Sequence, residues 1–254
     1  MAKFKTAEEI VLLRESGKRL AAVLYAVRDA VRPGMTTMDL DRLAEELIRK
    51  GGDLPPFKGY TPHGATHPFP ASLCVSLNDE IVHGIPGPRV IKEGDLVSLD
   101  LGLTHKGMIT DMAVTVAVGT VSPELKKLLW KTEESLLAGI AAAKGGGRIG
   151  DISAAIEAVG RKEKYGIIEE LGGHGVGHKV HEDPYVPNFG RKGTGPILKP
   201  GMVLALEPMF TLGSRHVRVL PDGYTIVSED GSLSAHFEHT ILITDGEAEI
   251  LTNL

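Results

Sequence analysis

Between Asp95 and Gly119 the sequence alternates apolar and polar residues on both sides of one short polar break. Val97, Leu99, Leu101 and Leu103 alternate with Ser98, Asp100, Gly102 and Thr104. Met112, Val114, Val116 and Val118 then fall on one face, with Asp111, Ala113 and Thr115 on the other. A period of two specifies half-buried strands, and His105-Lys106-Gly107 between them reads as a tight hairpin turn. Asp100 and Asp111 lie symmetrically about that turn, so antiparallel pairing puts both on one face, opposite each other or diagonal. Carboxylates in cross-strand contact repel, and burying them together forces one to stay protonated. A hard divalent cation between them turns the repulsion into attraction. Taken alone, the hairpin also allows two solvated aspartates on an outer sheet face; the remaining sequence decides against that.

A chain of 254 residues can bury roughly three-quarters of its unfolded surface, which suits one large domain or two joined halves. The net charge of -5 carries no basic footprint for nucleic acid. One cysteine, Cys74, excludes an intrachain disulfide and fits a reducing compartment. The N-terminus has no apolar signal core and no apolar run reaches membrane-spanning length. The expectation is a soluble cytoplasmic protein.

Helix signals come in pairs. Thr6 and Glu9 form a capping-box pattern before a stripe of Ile10, Leu13, Leu20, Leu24, Val27 and Val31 that stops at Pro33-Gly34. A second helix starts near Thr36 or Thr37 and runs to Gly51-Gly52. Residues 53–70 form a Pro- and Gly-rich loop with His63, His67 and Phe69, long enough to suggest a function. Short strands follow at 73–76 and 81–83. After the hairpin, Ser122-Pro123 opens a third helix that ends at Gly145-Gly146-Gly147, and Asp151 is expected to cap a fourth. Strand-like segments then lie at 202–207, 216–220, 224–228 and 235–244.

The two parts of the chain also echo each other. Val82-His83-Gly84-Ile85-Pro86 recurs as Val180-His181-Glu182-Asp183-Pro184, and Lys92 to Asp100 recurs as Lys199 to Glu207. An internal duplication, with halves at about 1–120 and 121–254, would place a histidine and strand-borne carboxylates from each half in one central cleft. His174, His178 and His181 lie among Gly172, Gly173, Gly175 and Gly177, which argues against a helix there and for close approach of backbone to a ligand or another strand. Glu207 precedes Pro208 and is biased to an extended conformation. Glu238 interrupts another apolar strand. Acids in three apolar segments, joined by a Gly-flanked histidine, point to a metal site.

These motifs resemble type I methionine aminopeptidases, in bacterial form. The resemblance rests on Val82-His83-Gly84-Ile85-Pro86, Asp100 with Asp111, Gly173-His174-Gly175-Val176-Gly177, Val180 to Pro184, Leu206-Glu207-Pro208-Met209 and Phe237-Glu238-His239-Thr240. It implies an α+β pita-bread fold, a pseudo-two-fold antiparallel sheet with helices on its outer face, as one catalytic domain. It also implies two divalent metal ions (Co, Mn, Fe or Zn) on Asp100, Asp111, His174, Glu207 and Glu238, with Asp111 and Glu238 bridging. His83 and His181 would contact substrate, and Glu207 would serve as general base. Phe69, Cys74, Val180 and Tyr224 would bind substrate near the methionine pocket, Val180 and Tyr224 departing from the side chains common in relatives, and His67 would bind it near the cleft mouth. The implied activity is removal of initiator methionine from nascent chains and peptides with a small second residue. The expected form is a monomer that meets the ribosome transiently, with no membrane or nucleic-acid partner. A proline-directed aminopeptidase and a metal-free binding protein on the same scaffold are the alternatives. The Val-His-Gly-Ile-Pro segment opposes the first, and the complete ligand set opposes the second.

Overall fold

The computed structural model describes residues 4–62 and 64–254; His63 and the first three residues lie outside the described set. Two helices, α1 (Ala7–Ala30) and α2 (Thr37–Lys50), precede strands β1 (Leu73–Leu77), β2 (Glu80–Val82), β3 (Leu96–His105) and β4 (Met108–Ala117). Two more, α3 (Pro123–Ala142) and α4 (Ile149–Glu163), precede β5 (Gly166–Ile167), β6 (Gly172–Gly175), β7 (Glu182–Pro187), β8 (Val203–Leu206) and β9 (Met209–Thr211). The chain closes with β10 (Val217–Val219), β11 (Ile226–Ser228), β12 (Ser234–His236), β13 (Glu238–Leu242) and β14 (Glu249–Ile250).

Local chemistry sets the helix limits. Thr6 and Thr36 accept the amides of Glu9 and Asp39, whose carboxylates return to the cap amides, so α1 and α2 each open on a capping box. Ser122 caps α3 with Pro123 behind it. Asp151 departs from expectation: α4 begins at Ile149, and the Asp151 carboxylate reaches back to the Arg148 amide at 2.7 Å from the third helical position.

The central sheet runs β1-β3-β4-β13-β8-β6-β7, with β14 beside β13. About the β4–β13 seam the order is pseudo-symmetric, with β3 and β8 flanking it and β1 and β6 beyond them. Leu99, Leu101 and Met112 turn to one face and pack with Leu20, Leu24, Leu40 and Ile48 of α1 and α2. Leu204, Leu206 and Ile241 pack with Leu128, Leu136, Ile152 and Ile156 of α3 and α4. Each buried leucine or isoleucine contributes about 1.5–3 kcal/mol, so both helix pairs are held to one face. The opposite face is left to line a cleft.

Two details of the sheet decide where the acids fall. The hairpin turn is Lys106-Gly107 alone, both at positive φ, as two-residue hairpins require; His105 still pairs with Met108. Asp100 therefore pairs with Ala113 and Asp111 with Gly102, which makes the two aspartates diagonal neighbours. The final strand segment is also broken. Thr115 Oγ1 accepts the His236 amide at 2.9 Å and donates to the His236 carbonyl at 2.7 Å. β12 accordingly joins a small sheet, β12-β9-β5, while β13 joins the central one. The break faces Glu207-Pro208, where proline has no amide to offer a ladder. A third sheet, β10-β11-β2, pairs Ile226 with Val82.

The N-terminal segment braces the second-half loop. The buried Lys5 ammonium meets Glu182 Oε2 at 2.7 Å. Glu182 Oε1 accepts the amides of His178 and Lys179 at 2.6 and 2.9 Å, and His178 Nε2 lies 2.7 Å from Glu9 Oε1.

Gly102 lies beneath the Pro56-Phe57 turn: a Cβ there would stand 2.7 Å from Pro56 Cγ and 2.8 Å from Phe57 Cε1. Gly102→Ala is expected to cost about 1–3 kcal/mol through overpacking. The check is a lower denaturant midpoint at unchanged slope; an unchanged midpoint would mean that the turn yields freely.

Candidate metal centre

The uncovered face of the sheet carries a cleft of about 770 Å³ whose lining includes Asp100, Asp111, His174, Glu207 and Glu238. Five different segments deliver them. Asp100 is in β3, Asp111 in β4, His174 in β6, Glu238 opens β13, and Glu207 follows the last residue of β8. Leu206 pairs with His239 and Met209 with His236, so Glu207 and Glu238 lie across from each other at the interrupted rungs. One acid pair thus sits on each side of the seam. Close backbone contact explains the glycines around His174: a Cβ on Gly173 would lie 2.2 Å from the Ala205 carbonyl oxygen.

Burial dominates the electrostatics. Asp100, Asp111 and Glu238 are 8%, 3% and 3% exposed. Burial, with repulsion from Asp111 and Glu207, pushes Asp100 and Glu238 well above the usual carboxyl range. Burial raises Asp111 to about 7, and burial with the neighbouring Asp111 raises Glu207 to about 8. Asp100 Oδ1 and Glu238 Oε1 are buried with no hydrogen-bond partner. Orphaned carboxyl oxygens of this kind fit a hard divalent cation, and ligand atoms of Asp111, His174 and Glu238 lie within 4.8 Å of one another. His174 Nδ1 donates to its neighbour Gly175 at 2.9 Å. Its Nε2 lone pair is thereby left facing the acids, 3.5 Å from Glu207 Oε1.

Three more imidazoles surround this set. His83, just beyond β2, has φ +60, an uncommon conformation for a residue with a side chain and of the strained kind found at functional sites. Burial and nearby His181 lower its pKa to about 4, so it is neutral. His181 stands edge-on to His174 at 4.4 Å between ring centroids, and its Nδ1 lies 2.9 Å from the Tyr60 hydroxyl. With that phenol donating, the His181 proton resides on Nε2. Tyr60 has no role in the sequence reading, because nothing local marks an aromatic whose partner is 121 residues away. His236 is the other omission. It is 1% exposed, with Nε2 3.7 Å from Glu207 Oε2; its only sequence signal is its place two residues before Glu238.

Phe69, Cys74, Val180 and Tyr224 line the cleft, joined by Phe57 and Tyr60. Cys74 is opposite Asp100 in the ladder, and burial with the neighbouring acids pushes its thiol well up, so it is an apolar wall and no nucleophile. His67 is outside the lining. Its Nε2 meets the Asp222 carbonyl at 3.1 Å, its ring packs 5.0 Å from Tyr224, and its own carbonyl accepts the Tyr224 hydroxyl. It steadies Tyr224 from behind.

Residues 11–245 match metallopeptidase family M24. The chain is 46% identical over 250 residues to methionine aminopeptidase 1 of Bacillus subtilis, covering 98% of each. The crystal structure of methionine aminopeptidase from Thermotoga maritima matches with TM-score 0.96 and 43% identity over 100% of both chains. Xaa-Pro dipeptidase from Bacillus anthracis matches with TM-score 0.74 and 25% identity, over 99% of this chain and 62% of that one. The pita-bread arrangement expected from the sequence is the fold these structures share with this chain.

The raised carboxyls fix the sign of a pH effect on the metal-free protein. Asp111 and Glu207 keep protons to about 7 and about 8 when folded, whereas unfolded carboxyls release them near pH 4. The folded state binds more protons across that interval, so stability falls as pH rises. The depressed histidines act oppositely, but only below about 6.5, where unfolded imidazoles charge. From about pH 7 to 9 the thermal midpoint of metal-free protein is therefore expected to fall, and Mn2+ to raise it and flatten the slope. Calorimetry across that range checks this; a rising midpoint would contradict it.

Proposed function

The chain belongs to metallopeptidase family M24, and from that premise we propose a role for each residue of the cleft. The protein is a metal-dependent aminopeptidase that removes N-terminal methionine. The orphaned oxygens of Asp100 and Glu238, beside Asp111, His174 and Glu207, are the observation that carries the finer assignment. In our reading these five residues would hold two divalent ions. Their oxygen-dominated set with one imidazole suits Mn, Fe or Co, and admits Zn. Bound there, the ions supply the charge that lets the four carboxyls ionise together and lower the pKa of water toward about 7.

The protein's own groups do the rest. Glu207 accepts a proton from the attacking water. His181, with the Tyr60 hydroxyl donating to its Nδ1 in this reading, donates from Nε2 to the oxyanion that forms on the scissile carbonyl. His83, neutral and close to His181, binds the scissile amide and relays a proton to the leaving amine. Phe69, Cys74, Val180 and Tyr224 receive the methionine side chain, whose unbranched thioether fills an irregular apolar slot. His67 acts on this pocket through Tyr224. The cleft near His83 limits the second residue to small side chains. We read the chain as one catalytic domain of two duplicated halves, monomeric and cytoplasmic, acting on nascent chains and meeting the ribosome transiently. Among the described residues no helix is long and apolar enough to cross a membrane.

Substrate choice tests the reading. At matched metal loading Met-Ala-Ser is expected to be cleaved well, Leu-Ala-Ser and Met-Leu-Ser weakly, and Ala-Pro-Ser least. Preference for Ala-Pro-Ser would move the chain to the proline-directed branch of the family. Two variants separate ligand from substrate contact. His181→Ala should retain its metal and lose roughly 3–4 kcal/mol of transition-state stabilisation, the scale of one oxyanion donor. His174→Ala should lose metal occupancy. Equal loss of metal in both would refute the division.

A further inference from the structure

His236 is 1% exposed, and neither of its ring nitrogens has a hydrogen-bond partner. Buried polar groups are seldom left in that condition, and an unpaired donor away from water is costly. Three contacts fix the backbone of the residue. Both backbone groups of His236 are engaged by Thr115 Oγ1, and β12 pairs it with Met209. The residue is thereby held at the end of β12, two positions before Glu238, and across from Met209, two positions beyond Glu207.

The polar group it faces is Glu207. Nε2 stands 3.7 Å from Oε2, just beyond the span of an N–H···O bond. The other oxygen, Oε1, faces His174 Nε2 at 3.5 Å. One carboxylate is therefore flanked by an imidazole at each oxygen, and the two differ in kind. His174 has committed its N–H to Gly175 and presents a lone pair. His236 has committed nothing, and so has an N–H to give.

We propose that His236 is the positioning residue of Glu207, its Nε2–H donating to Oε2 so that the carboxylate is held for a divalent cation. The inference rests on the reading of Glu207 as a metal ligand. A cation keeps Glu207 ionised, and a donor to an ionised carboxylate makes a shorter and stronger bond than a neutral pair. Partners that orient metal-binding groups typically change metal affinity about 10–100-fold when lost.

Mn2+ binding isotherms on the full-length, metal-free protein test this without recourse to turnover. His236→Leu is expected to weaken Mn2+ binding by about 10–100-fold, with the unfolding midpoint of the metal-free protein retained. His236→Gln, which can bring an amide N–H to the same oxygen, is expected to restore most of the loss. Where the leucine variant does not fold, His236→Asn serves: its amide is one methylene too short, and it should bind as weakly. Glu207→Gln is the reference. If Glu207→Gln binds Mn2+ like wild type, the ligand reading fails and the inference with it. If Glu207→Gln is weakened but His236→Leu and His236→Asn are not, the inference alone falls. It also falls if His236→Gln is as weak as His236→Leu.

Discussion

Four carboxyl groups gathered at one seam repel each other, and the architecture exists to hold them there against that force. Each is carried by a strand whose opposite side chains are locked under a helix pair: Leu99 and Leu101 flank Asp100 and pack under α1 and α2, and Leu206 precedes Glu207 under α3 and α4. The seam itself is thinly laddered. Among the described residues, β4 and β13 pair only at Ala113 with Glu238 and Met112 with His239. Thr240 Oγ1 adds to those rungs by accepting the Asp111 amide at 2.9 Å and donating to the Asp111 carbonyl at 2.8 Å. A cation bound among these acids would therefore do structural work as well as chemistry, because it links strands that share few other bonds.

The imidazoles show the complementary strategy. Burial holds His83, His174 and His236 neutral, with pKa values lowered to about 4, 3 and 3. None contributes a positive charge that would compete with a cation for the acids. What a neutral imidazole presents depends on where it keeps its single proton: the Gly175 carbonyl takes it at His174 Nδ1, while the Tyr60 hydroxyl lies 2.9 Å from His181 Nδ1. Orientation by such partners governs what a neutral imidazole can offer, a lone pair or a donor.

Much of this was legible in the sequence, for a physical reason. Alternation over ten residues and capping boxes of four are local signals, so the hairpin, α1 and α2 were read to within a residue or two. The acids stood out because carboxylates interrupt apolar strands. The misreadings lie where distant groups decide local structure. Phe237 looks like mid-strand, yet Thr115, far off in the chain, captures both backbone groups of His236 and splits the segment. Asp151 looks like a cap, yet α4 starts two residues earlier, where Arg148 pairs with Ile197. The place of His67 is likewise set by distant groups, the Asp222 carbonyl and Tyr224. Tyr60 and His236 carry no periodic signature at all, because their partners are set by the folded surface.

The brace between Lys5 and Glu182 bears on how the molecule comes into being. The two residues are 177 positions apart, yet together with Glu9 and His178 they immobilise the loop from which His181 projects. Closing so long a loop costs little more entropy than closing one half its length, since the cost grows only logarithmically. Contacts of such range do, however, form late and slow the search for the native state. The chain is thus fastened near its start, at Lys5, to a segment made long afterwards. No N-terminal fragment of the chain, however well its own hairpin folds, can assemble the complete cleft. Completion of the polypeptide becomes a condition for its activity, imposed by geometry alone.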